Sequence, residues 1–265
     1  MRALVTGLAA LLILAACAEN PVTGRKEFVI VSEEQAIQSS AVAYREMMGQ
    51  LEKKKQVESG TPRAARVRAI ADRLIAEAAR LRPETAKWTW EVKVIDEPKT
   101  VNAFAMAGGK IAVYSGMWET LKATDEELAQ VLGHEIGHAI AAHTRERISL
   151  AMATGLATSV AAVAISGDSS TRDLALSGLE LGAALAITLP NSRQSESEAD
   201  AIGIDLAARA GFDPQAAVTL WEKMGRQGAA PPEFLSTHPS PENRRERLQA
   251  LATKLEPVYR AAKRG

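Results

Sequence analysis

The 265-residue chain has one cysteine, and that scarcity removes several classes of protein at once. A single thiol makes no internal disulfide, and it excludes Cys-rich zinc fingers and iron–sulfur centres. Positive charge is not in excess either, because 32 Lys and Arg balance 32 Asp and Glu. Nucleic-acid binders normally carry a basic stripe, so nucleic acid is not an expected partner. Aromatic residues make up only 4% of the chain, which leaves Ala, Leu, Val and Ile to build the core. Histidine is scarce, with four in all. No apolar run reaches the roughly 20 residues that a membrane-spanning helix needs. The balance of 46% hydrophobic and 24% charged residues is that of a folded globular protein of one ordinary domain, or at most two small ones.

The lone cysteine stands at a telling place. Arg2 precedes an apolar stretch that ends in small residues, the order of a secretory signal, and Cys17 directly follows Leu14-Ala15-Ala16. This resembles the lipobox of bacterial lipoproteins, in which the cysteine is lipidated and becomes the mature N-terminus. The resemblance implies a signal peptide over residues 1–16 and a lipid anchor at Cys17. With Ala18 and no Asp at the second mature position, it also implies the outer membrane, facing the periplasm. Residues 17–31 contain Pro21 and Gly24, lack helical periodicity and read as a tether; residues 32–265 form the domain.

Within that domain, Ser32 with Gln35 reads as a capping box opening a helix to about Lys55. Thr61-Pro62 opens a second, with Val67, Ile70, Leu74 and Leu81 on one face. Trp88, Trp90, Val92 and Val94 alternate with polar residues as in a half-buried strand. Val101–Met106 and Lys110–Ser115 flank the turn signal Gly108-Gly109 and should pair. Thr124 and Glu127 form a second capping box. The Ala-rich stretches Leu150–Ile165 and Leu174–Leu189, separated by a polar loop at Gly167–Arg172, read as a buried or cleft-covering helical hairpin. Helices are further expected over Arg193–Ala210, Pro214–Gln227 and Pro241 to about Leu255. The sum is an α+β fold, mainly helical, with a small sheet.

The chemistry concentrates at His134-Glu135-Ile136-Gly137-His138. On a helix the two imidazoles lie one turn apart on one face and can share a metal ion, while Glu135 beside them can serve as general base in a metal-assisted hydrolysis. A catalytic zinc needs a third protein ligand. Candidates are His143, His238 and the acids of the segment from Ser192 to Asp200. His143, five residues after His138, falls about 140° further round a continuing helix and is not expected to share the metal. Glu196 and Asp200 are one turn apart, so one can bind the metal while the other orients a ligand histidine.

His134-Glu135-Ile136-Gly137-His138, then Arg193-x-x-Glu196-x-x-Ala199-Asp200, then Thr237-His238-Pro239, resembles one zinc metalloprotease family. Its members include the CAAX-prenyl endopeptidase, the HtpX heat-shock membrane protease and periplasmic lipoprotein proteases that police outer-membrane assembly. The likeness runs from Asn20-Pro21-Val22-Thr23-Gly24 to Arg247. It implies a gluzincin fold, one Zn2+ per chain on His134, His138 and Glu196, Glu135 as general base and Asp200 behind a ligand. Glu198 is the rival ligand, but the family's Glu-x-x-Ala-Asp spacing selects Glu196. The resemblance places Asn102, Ala103 and Phe104 along the substrate cleft, and it sets His238 across the site as a zinc cap or an oxyanion stabiliser, with Arg244 a second candidate for the latter. A single-domain lipoprotein protease is expected, without the membrane spans or helical-repeat module of its larger relatives. Its expected substrates are unfolded or misassembled envelope proteins. The rival is a zinc-stabilised, chaperone-like lipoprotein that binds assembly intermediates and cleaves little.

Overall fold

A computed structural model describes residues 17–166, 190–226, 232–239 and 243–264. The expected signal peptide (1–16), the polar loop with the second Ala-rich stretch (167–189) and the Ser240-Pro241 cap lie outside the described residues.

Short strands β1 (Cys17–Glu19) and β2 (Lys26–Phe28) form an antiparallel hairpin. The segment expected to be a tether is therefore folded onto the domain, with Asn20, Glu27 and Val31 buried. Its anchoring rests on single buried polar side chains, which leave no periodic pattern in the sequence. Helix α1 (Glu33–Lys53) starts at the Ser32/Gln35 capping box, and α2 (Pro62–Leu81) starts at Thr61 with Pro62 in its first turn, as expected.

The sheet holds β3 (Val57–Glu58), β4 (Glu91–Ile95), β5 (Ala103–Met106) and β6 (Lys110–Tyr114) in the order β3-β4-β6-β5. It is mixed: β4 and β6 run parallel, whereas β5 pairs antiparallel with β6, Met106 opposite Lys110. Alternation sorts the side chains to two faces. Val94, Ala103, Ala105, Ile111 and Val113 join the main core with α2, while Ile95, Phe104, Met106 and Ala112 pack with Tyr44 and Met48 of α1. The strand expected from Trp88 begins only at Glu91. Thr85 lies in a 3-10 turn (Pro83–Lys87), and the Trp90 indole donates to its carbonyl at 2.9 Å, which folds the two tryptophans back out of the ladder. Trp90 also explains Gly109: a Cβ there would lie 2.4 Å from the indole ring, and the backbone is left-handed at φ +78°.

After the short α3 (Gly116–Glu119) come α4 (Asp125–Ile140), α5 (His143–Ser166), α6 (Arg193–Arg209), α7 (Ala216–Gly225), α8 (Glu233–Thr237) and α9 (Arg244–Ala262). Helix α5 contains the first Ala-rich stretch. No helix among the described residues is long and apolar enough to cross a membrane. Helix α4 lies at the centre, with every residue from Glu127 to Ile140 buried. Its far neighbour is α6, and that contact makes the site.

Candidate active site

Helix α4 begins with a complete capping box, Thr124 and Glu127, and with three acids in the first turn that favour its positive end. Glu127 additionally receives the Lys223 ammonium at 2.6 Å and the Thr219 hydroxyl at 2.9 Å, which ties α4 to α7. Ten residues on, the helix presents His134 and His138 toward α6.

Glycine lets the two helices meet. A Cβ on Gly133 would lie 2.6 Å from the Gly203 carbonyl oxygen, and one on Gly203 would lie 2.6 Å from the His134 nitrogen. Gly137 packs likewise on Ala199, where a Cβ would come within 3.0 Å of the Ala199 carbonyl. With backbone against backbone, the first turn of α6 reaches over the histidines and delivers Glu196, which is fully buried.

The ligand atoms of His134, His138, Glu196 and His238 lie within 4.8 Å of one another. Nε2 of His134 and of His138 are 3.0 Å apart. Glu196 Oε2 stands 3.3 Å from the first and Oε1 3.1 Å from the second. Despite that closeness, buried Glu196 Oε1 accepts no hydrogen bond, as expected of an atom aimed at a shared centre. Tetrahedral ligands about 2.0–2.1 Å from zinc stand about 3.3 Å apart, so the two imidazoles and the carboxylate fit that ion in spacing and in chemistry. The electrostatics agree. Burial would raise the Glu196 carboxyl, but His134 above all, and His138, hold it well below the carboxylate range. Burial opposes charge on His134, yet Glu196 and Asp200 outweigh it and push the pKa up to about 9. Burial holds His138 well below its ordinary value. The two carboxylates thus favour positive charge at His134, while burial disfavours it on the His138 ring.

Behind the ligands the expected residues divide. Asp200 Oδ1 stands 3.0 Å from Nδ1 of His134, close but without the direction of a hydrogen bond. Arg244, the second candidate for an oxyanion stabiliser, sends Nη2 to Asp200 at 2.6 Å and Nη1 to Glu196 at 3.2 Å, and stacks on Trp221 with 3.6 Å from its guanidinium carbon to the ring centroid. Its fork is thus committed to two carboxylates behind the cluster. Glu198, the rival ligand, points away from the cluster to His143 and Arg25. His238, 3% exposed, stacks on Phe234 and sets Nε2 3.2 Å from Glu135 Oε1.

His143 is not on a continuation of α4. That helix ends at Ile140, and Ala142 adopts a left-handed φ of 54°. The break swings His143 behind His138, their Nδ1 atoms 2.8 Å apart. Sequence reasoning missed this partner, the Gly133/Gly203 contact and Asn191, whose Nδ2 is 3.4 Å from His138 Nε2. Gly133 and Gly137, one turn apart before and within the metal motif, were a readable signal of close helix approach, whereas the Ala142 break left none. Asn102, Ala103 and Phe104 are buried, and Asn102 Oδ1 accepts from the Ala103 amide at 2.9 Å. Phe104 turns to the α1 face of the sheet.

Two histidines and a glutamate delivered by crossed helices beside a small mixed sheet, with a glutamate next to the first histidine, define the zincin class of metallopeptidase. More narrowly, the chain belongs to peptidase family M48, whose family model matches residues 62–252. It is 39% identical over 181 residues to mitochondrial metalloendopeptidase OMA1 of Arabidopsis thaliana, covering 67% of this chain and 35% of that protein. To the OMA1 metalloendopeptidase of Schizosaccharomyces pombe it is 34% identical over 233 residues, 86% of this chain and 64% of the other. The beta-barrel assembly-enhancing protease of Escherichia coli is 34% identical over 170 residues, 60% of this chain and 34% of that one. The chain spans between about one third and two thirds of the length of these relatives.

Proposed function

We propose that the chain is a zinc-dependent endopeptidase, held to the outer membrane through lipid on Cys17, that cuts unfolded or misassembled envelope proteins in the periplasm. The observation that carries the catalytic reading is the convergence of His134, His138 and Glu196 on one buried point beside Glu135. Zinc bound there supplies Lewis acidity toward a peptide carbonyl and makes water a nucleophile near neutral pH. Glu135 takes the proton of the attacking water and passes it to the leaving amine. Asp200 stands behind the His134 ring, and Arg244 fixes Asp200 and Glu196 together. Strand β5 is at the sheet edge but buried near Asn102, Ala103 and Phe104, so an extended substrate would take its main-chain hydrogen bonds there only once that edge is uncovered. Recognition of that kind reads backbone more than side chains and suits unfolded clients.

The envelope reading is supported by the leader itself. A mitochondrial transit peptide is Arg-rich and amphipathic, whereas residues 1–16 carry one Arg and a plain apolar run that ends at the lone cysteine. Cys17→Ser should lose incorporation of labelled fatty acid and leave the membrane fraction; a membrane-bound, unlabelled wild type would contradict the lipid anchor.

Glu135→Gln tests the chemistry. The variant should keep its zinc and lose cleavage of an unfolded protein such as reduced casein; cleavage at the wild-type rate would remove Glu135 as the base. The position of His238 favours a second reading, of a site capped by its own chain and acting chiefly as a chaperone-like binder. His238→Ala separates the two, because it speeds cleavage if the ring is a cap and slows it if the ring stabilises the oxyanion.

A further inference from the structure

Three of the four histidines surround the cluster, and the proposed reaction leaves His143 without a task. Its neighbours nevertheless form an unbroken chain. His138 turns Nε2 toward His134 and Glu196, so its proton resides on Nδ1, on the far side of the ring. There it meets Nδ1 of His143 at 2.8 Å. To accept at Nδ1, His143 must carry its own proton on Nε2, which lies 3.0 Å from Glu198 Oε2. Glu198 in turn accepts from Arg25 Nε at 2.7 Å. Arg25 belongs to the β1–β2 hairpin and also pairs with Glu146 at 2.8 Å and Glu27 at 3.0 Å. From the same hairpin, the Asn20 amide donates to the Ala141 carbonyl at 2.7 Å and pins the helix break that brings His143 round. His143 is 1% exposed, so water does not compete for its ring.

Resting on the zinc-peptidase reading, we infer that His143 is a positioning residue for the ligand His138, and that the strap of residues 20–27 is the part of the chain that holds it. The relay fixes the ring angle of His138 and keeps the proton on Nδ1, so that Nε2 is the free donor to the metal. Asp200 stands behind His134 on the opposite side, 3.0 Å from its Nδ1. The ligand atoms of Glu27, His143 and Glu198 also lie close enough to hold a cation of their own. Arg25 and Arg145 already occupy those carboxylates, Arg145 at 3.3 Å from Glu27, and a second metal would face two guanidinium groups.

The test uses the full chain, with zinc release to a competing chelator and the visible spectrum of the cobalt-substituted protein as readouts. His143→Leu should release zinc about 10–100-fold more readily and shift the cobalt bands, in the range typical of lost ligand-orienting partners. His143→Asn, which returns an acceptor near the Nδ1 position, should recover most of the loss, and Arg25→Gln should move both readouts the same way by less. Glu198→Gln carries the same expectation if His143→Leu does not fold. Wild-type zinc retention and cobalt bands in a folded His143→Leu or Glu198→Gln overturn the inference, as does a second zinc that His143→Leu removes. A wild-type chain without stoichiometric zinc would instead overturn the peptidase reading beneath it.

Discussion

His134 and His138 of α4, the proposed zinc ligands, are backed from opposite ends of the chain. Behind His134 stand Asp200 and Arg244, both from the C-terminal half and buried, with Trp221 stacked on the Arg244 guanidinium. His138 is held by His143 and Glu198, and through them by Arg25 of the N-terminal strap, whose side chain is 16% exposed. Arg244 has 3% exposure and faces two buried carboxylates. One support is therefore a charge network that the folded core cannot do without. The other is a partly solvated clamp that can be weakened while the fold survives. If His134 and His138 hold zinc as proposed, both supports should matter for the metal and the buried one more for stability.

That asymmetry can be broken at its strong end. Arg244→Met leaves Glu196 and Asp200 buried without their cation and should destabilise the metal-free chain by about 3–5 kcal/mol, measured by denaturant unfolding. Next comes the contact that both supports presuppose. Gly203→Ala forces a methyl against the His134 backbone and should cost about 1–3 kcal/mol as overpacking, with weaker zinc retention because α6 carries Glu196. The weak end should respond less. Arg25→Gln should cost about 1 kcal/mol or less of stability, since a partly exposed ion pair is worth little, while still loosening the metal. If Arg25→Gln unfolds the chain as severely as Arg244→Met, the two supports are not different in kind. Comparable is Glu127→Gln, about 1 kcal/mol or less: glutamine can keep the capping box, as Gln35 does for α1, but loses the charge that faces Lys223. Burial raises the Glu127 carboxyl, but Lys223 and the Thr124 amide hold it below its ordinary value. Its contribution is thus present above the unfolded-state carboxylate pKa and lost as pH falls through the folded one. Acid titration of unfolding in wild type and Glu127→Gln should converge at low pH.

The same division governs what could be read from the sequence. Both capping boxes, the Thr61-Pro62 start and the Gly108-Gly109 hairpin announce themselves because their signals are local. So does the pairing of His134 with His138, one turn apart on one helix. Glu196 required the family's spacing, because it lies 62 residues after His134 and 58 after His138 and nothing local says that α6 returns to α4. The strap was hidden for a different reason: Asn20, Arg25 and Glu27 look like loop polarity until their partners at Ala141, Glu198 and Arg145 are known. His143 was misplaced by assuming an unbroken helix, and a single left-handed alanine corrects it. Sequence patterns thus reveal elements and near neighbours, whereas the supports of a site depend on where distant segments cross.

The most direct test of the account is anomalous diffraction at the zinc edge from crystals of the purified full chain. The account predicts one peak per chain, enclosed by His134, His138 and Glu196 and on the Nε2 side of both rings. A peak among Glu27, His143 and Glu198 in its place, or no peak in protein that still cleaves unfolded substrate, would contradict it.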